Sequence, residues 1–184
     1  DTIPFFNLVT QDPKGEQTTR RMPLDVYLTV VAATNFKQRI RKNLEYYHAD
    51  RLNYAVIGTP NKLEYDLGFF VRGGDGLADV KPIAHLYKNQ VYALAETLGV
   101  TEEIRRQTPS TNTYSLPQTQ EEFYYALDYK RADFALYALL NEIDAAAAAP
   151  VLGLTPEQTA HVYRDFSGKR RAAARGLADA LIIG

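Results

Sequence analysis

The chain has 184 residues, enough for a single domain over residues 1–184 with a substantial core. Its 21 basic and 22 acidic side chains nearly cancel, so neither nucleic acid nor a membrane surface is expected as a partner. Because the chain has no cysteine, disulfides, thiol catalysis and thiolate metal sites are excluded. The chain begins at Asp1 without the basic stretch of a signal peptide, which favours a cytoplasmic location.

The first part of the sequence predicts a hairpin or exposed loop followed by two helices. Phe5–Thr10 has the pattern of a short strand, and turn-forming residues follow it. Helices are predicted over Tyr27–Ala33 and Phe36–His48. The second helix should bury one apolar face and expose one basic face. The apolar face consists of Phe36, Ile40, Leu44 and Tyr47, and the basic face of Lys37, Arg39, Arg41 and Lys42.

A short apolar run at Tyr54–Ile57 predicts a buried parallel strand. A loop-rich span from Gly58 to Asp79 follows it, and Val80–Ile83 has the pattern of a brief extended segment. Because open α/β sheets bind their ligands beyond the carboxyl ends of the strands, this span is the candidate site.

The remainder of the sequence is mainly helical in pattern. The stretch Thr108–Gln118 is expected to be a loop, and the alanines at 145–149 a flexible connection. A cap and a first-turn proline at Thr155-Pro156 predict the start of a last helix that ends near Ile182. The other predicted helices are Lys88–Leu98, Glu102–Arg106, Gln120–Ala126 and Lys130–Ile143.

The loop-rich span carries side chains that suit a metal-bound phosphate substrate. Thr59 offers a small donor, Glu64 a hard oxygen ligand and Arg72 a planar fork for an anion. Residue types alone favour a simpler explanation, in which Thr59 caps a helix and Glu64 is a solvated acid in its first turn. Of the aromatic pair at Phe69-Phe70, either both rings belong to the core or one stacks on a planar substrate ring.

The order of residues in this span also resembles a known family. The pattern GT-x4-E-x3-GFF-x-R-x2-DG-x2-D runs from Gly58 to Asp79 and is followed by a P-I-x4-K pattern ending at Lys88. It is similar to the C-terminal part of NAD synthetases, which belong to the ATP pyrophosphatase-type ligases. The resemblance implies an α/β fold of the nucleotide hydrolase-like kind with a parallel sheet, which here would be truncated and rich in helices.

The resemblance implies a role for eight side chains. Three of the matching positions depart from the family pattern: Arg72 replaces a lysine, Ser110 a threonine, and Gly168 a histidine that precedes Lys169. The implied ATP-binding residues are Thr59, Lys88 and Ser110, the implied Mg²⁺ ligand is Glu64, and the implied deamido-NAD-binding residues are Arg39, Arg72, Asp79 and Lys169.

The family resemblance implies a two-step reaction in a homodimer. The carboxylate of deamido-NAD attacks ATP to form an adenylate and pyrophosphate, and ammonia then displaces AMP to give NAD. Such an enzyme mainly positions anionic nucleotides and offsets their charge with Mg²⁺, lysine and arginine. No residue is singled out as a general base, and the sequence leaves open whether ammonia is free or comes from glutamine.

One element of the family pattern does not occur in this sequence. The Ser-Gly-Gly-x-Asp-Ser loop, which holds the pyrophosphate of ATP, is expected upstream of the segments described above. The chain alone is therefore expected to be inactive, and a preceding segment with that loop should restore activity. Two alternatives remain: another ligase of the ATP pyrophosphatase type, or a non-catalytic module that binds nucleotide or dimerises.

Overall fold

The computed structural model of the chain describes residues 6–110, 116, 119 and 121–183. It begins with an antiparallel hairpin of strands β1 (Asn7–Gln11) and β2 (Gln17–Arg21), with Val9 opposite Thr19. The turn forms because the Asp12 carboxylate accepts hydrogen bonds from the backbone N–H groups of Lys14 and Glu16, both at 2.9 Å. The predicted hairpin is confirmed from Phe6 onward.

Helix α1 (Leu24–Leu52) is one continuous helix, so the prediction of two helices is wrong. Thr34 does not cap a new helix, because its hydroxyl donates to the Val30 carbonyl one turn earlier. The predicted burial is also wrong for the apolar face and for one residue of the basic face. The supposed core face is exposed, whereas Lys42 on the supposed solvent face is only 5% exposed. The exposed fractions are 63% for Phe36, 43% for Ile40, 57% for Leu44 and 62% for Tyr47.

One side of α1, which includes Lys42, packs on the loop-rich span that follows the helix, whereas Lys37, Arg39 and Arg41 are exposed. Gly74 lies against Gln38, where a Cβ atom would come within 3.0 Å of the Gln38 Cβ. The Tyr46 hydroxyl donates to the Asp79 carboxylate at 3.1 Å. The periodicity of α1 therefore grouped its apolar side chains on one side correctly, but the rest of the chain covers a different side, which carries Gln38, Lys42 and Tyr46.

The predicted strand at Tyr54–Ile57 is reduced to a single parallel bridge between Ile57 and Val80. The backbone N–H of Gly58 donates to the Val80 carbonyl at 2.7 Å, and that of Asp79 to the Val56 carbonyl at 3.0 Å. Within the described residues, β1–β2 is the one sheet, so the larger parallel sheet stays a prediction.

The core is built by helices from the second half of the chain together with the short helix α2 from the first half. Helices α2 (Lys62–Leu67), α5 (Tyr129–Leu140), α6 (Ala145–Leu152) and α7 (Pro156–Leu177) pack together with a one-turn π-helix at Glu121–Tyr125. The largest fully buried apolar side chains are Tyr125, Phe166, Leu63, Leu67, Leu136 and Leu152.

Several predicted helices are confirmed, with shifted ends. Helices α3 (Lys88–Thr97) and α4 (Glu102–Arg105) lie where expected, and α7 begins with the expected capping box at Thr155 but ends at Leu177. The π-helix occupies most of the predicted helix at 120–126. No helix in the described ranges has both the length and the apolar character needed to cross a membrane.

The alanine run is helical rather than flexible, so that prediction is wrong. The Asp144 side chain caps α6 by accepting a 2.8 Å hydrogen bond from the Ala146 N–H. Gly153 ends the helix in the left-handed conformation, with φ of 63°. Because alanine has the highest helix propensity, a run bounded by these two caps folds as helix and buries Ala148 and Ala149.

Candidate nucleotide-binding site

Glu64 is held in place by the first turn of α2. Its carboxylate accepts a 2.9 Å hydrogen bond from the Asn61 N–H, while the Asn61 side chain accepts one from the Glu64 N–H at 3.2 Å. This reciprocal pair is a capping box. The helix cap is therefore Asn61, which is 2% exposed, and not Thr59 as the simpler sequence explanation held.

The far end of α2 is fixed as tightly. Gly68 ends the helix with φ of 80°, and a Cβ atom there would come within 3.0 Å of Ala173 on α7. Leu63 and Leu67 are fully buried. Because both ends and the apolar face of α2 are constrained, the Glu64 side chain projects from a rigid support.

Burial raises the pKa of the Glu64 carboxyl above its ordinary value. The hydrogen bond from Asn61 and the positive charge of Lys88 act in the opposite direction, while Asp75 adds to the rise. Among the described residues, the second carboxylate oxygen of Glu64 has no hydrogen bond. A partly buried carboxylate with one oxygen left over and a lysine nearby suits a metal ion that also binds phosphate.

Lys88 lies at the N-terminus of α3, which α5 holds in place. The Asp133 carboxylate accepts hydrogen bonds from the backbone N–H groups of Lys88 (3.2 Å) and Asn89 (2.8 Å) and from the Asn89 side chain (2.6 Å). The Lys88 ammonium lies over two aromatic rings, 5.6 Å from the centre of Tyr92 and 5.2 Å from that of Tyr129. These cation–π contacts restrict where the ammonium can point.

Thr59 is exposed at the edge of a cavity of about 250 Å³ between α1 and the loop-rich span. Sequence reasoning placed Lys42 on a solvated face, yet this lysine lines the cavity beside Thr59 and pairs with Glu45. The helical periodicity of α1 could have identified Lys42 as a cavity residue only if the covered side of the helix had been known. The residues around the cavity are Gln38, Arg41, Lys42, Glu45, Ile57, Gly58, Thr59 and Asp75.

The predicted deamido-NAD residues form two groups. Arg39 donates from Nε to the Arg72 carbonyl at 3.1 Å, and the Arg72 guanidinium donates to the Ala178 carbonyl at 3.1 Å. Asp79 instead fastens the end of the loop, because its carboxylate accepts from the Val56 N–H at 2.7 Å as well as from Tyr46. Arg39 and Arg72 are thus brought together, while both carboxylate oxygens of Asp79 have partners within the chain.

Lys169 and Ser110 lie on other elements. The Lys169 ammonium, on α7, donates to the Tyr124 carbonyl at 2.6 Å and to Asp165 at 2.7 Å. Ser110 is exposed and forms an isolated bridge with Thr119. Just before Ser110, Thr108 and Pro109 line a cavity of about 350 Å³ whose other walls include Tyr92 and Tyr129. This cavity joins the Ser110 segment to the aromatic rings beneath Lys88.

The aromatic pair after Gly68 packs within the protein. The Phe69 ring lies 4.8 Å from that of Tyr124 and 5.9 Å from that of Tyr125. Phe70 contacts Tyr65, with ring centres 6.5 Å apart, and lies where a Cβ atom on Gly76 would clash with it at 2.6 Å. Phe69 therefore packs against the core, as the core explanation expects, whereas Phe70 is half-buried against Tyr65 and the loop at Gly76.

The described residues contain no cluster of three or more histidine, aspartate or glutamate side chains able to enclose a metal ion. Glu64 alone still fits Mg²⁺, because this ion is usually bound by one or two carboxylates together with substrate phosphates and water. These groups are of the kinds that a nucleotide-binding protein uses: a carboxylate able to hold Mg²⁺, an oriented lysine, and hydroxyl groups on two loops.

Comparison with known proteins identifies the family. Residues 12–164 match the NAD synthase family, and the chain belongs to it. It is 61% identical over 172 residues to an NH3-dependent NAD⁺ synthetase of Rhizobium meliloti, covering 94% of this chain and 52% of the relative. It is 60% identical over 166 residues to the NH3-dependent NAD⁺ synthetase of Mesorhizobium japonicum, and the match covers 90% of this chain and 52% of the relative. The chain thus spans about half the length of these curated relatives.

Solved structures agree on the fold class. An NMN synthetase from Francisella tularensis superposes with a TM-score of 0.65 at 27% identity, covering 84% of this chain and 57% of its own. An NH3-dependent NAD synthetase from Campylobacter jejuni, in complex with the nitrate ion, superposes with a TM-score of 0.61 at 25% identity. The match covers 84% of this chain and 56% of that chain. These likenesses support the predicted α/β nucleotide-binding fold, and the family predicted from the loop pattern is confirmed.

Proposed function

We propose that this chain forms part of an ammonia-dependent NAD synthetase, a carbon–nitrogen ligase that amidates deamido-NAD to NAD at the expense of ATP. The reaction passes through an adenylate and releases pyrophosphate and AMP. The observation that carries the proposal is that the helix starts bearing Glu64 and Lys88 lie side by side, joined by a 2.8 Å hydrogen bond from the Lys62 N–H to the Leu86 carbonyl. Its close relatives named NH3-dependent NAD⁺ synthetases support ammonia as the nitrogen source.

The ATP side of the proposed site is formed around α2 and α3. Glu64 holds Mg²⁺ through its remaining carboxylate oxygen, and Lys88 binds a phosphate oxygen. Thr59 supplies a hydroxyl donor at the smaller cavity, and Ser110 supplies one from the segment directly after Thr108 and Pro109, which line the larger cavity. Bound magnesium would neutralise phosphate charge and so lower the cost of bringing two anionic nucleotides together.

The deamido-NAD side uses the Arg39–Arg72 pair. Both residues are exposed, and each side chain is oriented by a backbone carbonyl, Arg39 by that of Arg72 and Arg72 by that of Ala178, so two cations are available to an anionic substrate. Asp79 and Lys169 complete this side of the proposal. Each already has partners within the chain, so a direct contact with substrate requires those hydrogen bonds to be exchanged.

The exposed apolar face of α1 supports a homodimer. Four large side chains at helical spacing, from Phe36 to Tyr47, lie uncovered on one side of the helix. Contiguous apolar surface of this kind typically marks an interaction site, and two copies of one helix face can cover each other by two-fold symmetry. The Ile57–Val80 bridge is proposed as part of a larger parallel sheet, and a cytoplasmic location follows from the use of ATP.

A second candidate keeps the chemistry but changes the substrate. The Francisella neighbour with the higher TM-score is named an NMN synthetase, which favours a mononucleotide product as the alternative. The same site would then amidate nicotinate mononucleotide. The Arg39–Arg72 pair makes the dinucleotide the first choice, because two neighbouring cations suit a substrate with more than one phosphate.

The test joins this chain to the remaining part of the Rhizobium meliloti relative and measures AMP release with ammonia. We expect AMP release that requires deamido-NAD, and a weaker response to nicotinate mononucleotide. Arg72→Ala should raise the KM for deamido-NAD at least roughly tenfold, as loss of a charged hydrogen bond predicts, while Arg51→Ala on the exposed end of α1 serves as the control. A hybrid protein that folds but releases no AMP with either acid would overturn the proposal.

A further inference from the structure

Lys42 is a buried lysine on a helix whose neighbouring basic side chains are exposed. The residue is 5% exposed, whereas Lys37, Arg39 and Arg41 are exposed. Among the described residues, its ammonium donates to one partner, the Glu45 carboxylate, although an ammonium has three N–H donors. The side chain of Glu45 is 49% exposed. The ion pair is therefore not enclosed in the core, and the ammonium has donors left for a ligand.

Lys42 lines the cavity of about 250 Å³ between α1 and the loop-rich span. Most residues of the cavity wall are exposed, so the cavity opens to solvent, whereas Lys42 and Gly58 are buried and form its inner end. A charge that is costly to bury thus lies where an anion can reach it from the surface. The exposed residues of the wall are Arg41, Glu45, Ile57, Thr59 and Asp75.

The cavity lies between the ATP side and the deamido-NAD side of the proposed site. Thr59 belongs to its wall and directly precedes the capping box that holds Glu64. Asp75 lines the same cavity and is close enough to Glu64 to raise the pKa of that carboxyl. On the opposite wall, Lys42 follows Arg39 by about one turn of α1. A nucleotide bound on either side can therefore extend a phosphate into the cavity.

We propose that the Lys42 ammonium binds a phosphate oxygen of a nucleotide substrate in this cavity. The inference rests on the proposed function and adds a cation that sequence reasoning placed on a solvated face. The phosphate belongs to magnesium–ATP or to deamido-NAD, which share this chemistry. Because the ammonium is largely removed from water, its attraction to a phosphate is screened less than that of an exposed lysine. Arg41 offsets part of the negative charge that Glu45 and Asp75 bring to the cavity.

Lys42→Met tests the proposal, because methionine keeps most of the buried stem and removes the charge. Lys37→Met is the matched control, since Lys37 is exposed on the same helix and is not part of the cavity wall. Calorimetry on the full chain measures the affinity for magnesium–ATP and, separately, for deamido-NAD. We expect Lys42→Met to lower one of these affinities by about tenfold or more, and Lys37→Met to lower neither. The nucleotide that is affected identifies the source of the phosphate.

Glu45→Gln distinguishes ligand binding from a purely structural role of the ion pair. This change removes the carboxylate and leaves the ammonium, so the free energy of unfolding in urea should fall while the affinity holds or rises. If Glu45→Gln and Lys42→Met lose affinity equally, the pair acts only by supporting the fold, and the inference is overturned.

Two further results would count against the inference in different ways. If Lys42→Met binds both nucleotides as tightly as the wild type, Lys42 has no role in binding and the proposed function stands. If the wild-type chain binds neither magnesium–ATP nor deamido-NAD, the nucleotide site is overturned together with this inference.

Discussion

The carboxylate of Asp133 on α5 accepts a 2.8 Å hydrogen bond from the backbone N–H of Asn89 on α3. The same carboxylate binds the Lys88 N–H and the Asn89 side chain, so one residue of the core satisfies the start of the helix that carries Lys88. At 7% exposure, Asp133 has little contact with water. It therefore links the packing of the core to the position of the ammonium in the proposed site.

Replacing Asp133 with alanine should loosen the start of α3. The change leaves two backbone N–H groups and a side-chain amide without their acceptor, which we expect to cost about 2 kcal/mol in the free energy of unfolding. Urea unfolding measures the loss, and amide hydrogen exchange at Lys88 and Asn89 should become faster. Asp133→Asn keeps one acceptor oxygen and should show a smaller loss. An alanine variant as stable as the wild type would contradict this coupling.

Asp128 should make the stability of α5 depend on pH. Its carboxylate accepts a 2.9 Å hydrogen bond from the Arg131 N–H, which lowers its pKa below the ordinary value. Because the folded pKa is the lower one, the stabilisation is complete above the ordinary aspartate pKa and is lost as pH falls through the lowered value. Asp128→Ala should cost about 1 kcal/mol near neutral pH.

The control for that prediction is Asp128→Asn, which keeps the cap but cannot titrate. The free energies of unfolding of the three proteins are measured in urea at about pH 7 and at about pH 3. The difference in the free energy of unfolding between wild type and Asp128→Ala should be smaller at the acidic pH. The difference between Asp128→Asn and Asp128→Ala should be the same at both pH values. If the difference between wild type and Asp128→Ala is the same at both pH values, the ionised form of the Asp128 carboxylate contributes nothing to stability.

Ala126→Gly should stabilise the protein. Ala126 follows the π-helix with φ of 57°, a left-handed conformation in which the alanine Cβ is strained. Glycine relieves that strain, and we expect a gain of about 1 kcal/mol in the free energy of unfolding. Ala93→Gly, at an exposed position within α3, should instead cost about 1 kcal/mol. The free energy of unfolding of both variants is measured in urea. A loss of stability in Ala126→Gly as well as in Ala93→Gly would contradict the prediction.

Leu44→Glu should weaken the proposed homodimer. Leu44 is 57% exposed in the single chain, so the substitution should leave helix content unchanged by circular dichroism. In a dimer formed through this face it would place a charge in an apolar contact and weaken self-association by more than about tenfold. Sedimentation of Leu44→Glu and of the control Asn43→Glu, one residue away, tests this. Equal association of the two variants would argue for a different interface.

Sequence patterns located most helices because their ends carry local signals. The Thr155-Pro156 start of α7 is one example, since the cap and the proline act within a single turn. The same kind of signal was present and overlooked at α6, where Asp144 and Gly153 bound the alanine run. Local chemistry was therefore sufficient for these elements, and the error lay in interpreting alanines without their flanking caps.

Local sequence patterns do not predict how the helices pack against the rest of the chain. The period of α1 identifies an apolar and a basic face, but only the position of the loop-rich span decides that Lys42 is covered and Phe36 is not. The same holds within the site. Glu64 and Lys88 could be named from their order along the chain, whereas Asp133 lies far away in sequence and is related to Lys88 only through packing.

The two ends of the span between Val56 and Val80 are joined by hydrogen bonds. The Asp79 carboxylate accepts from the Val56 N–H, and the Gly58 N–H donates to the Val80 carbonyl. The middle of the span is anchored as well, because Leu63 and Leu67 on α2 are fully buried in the core. The span should therefore open only together with the core, and not as an independent loop.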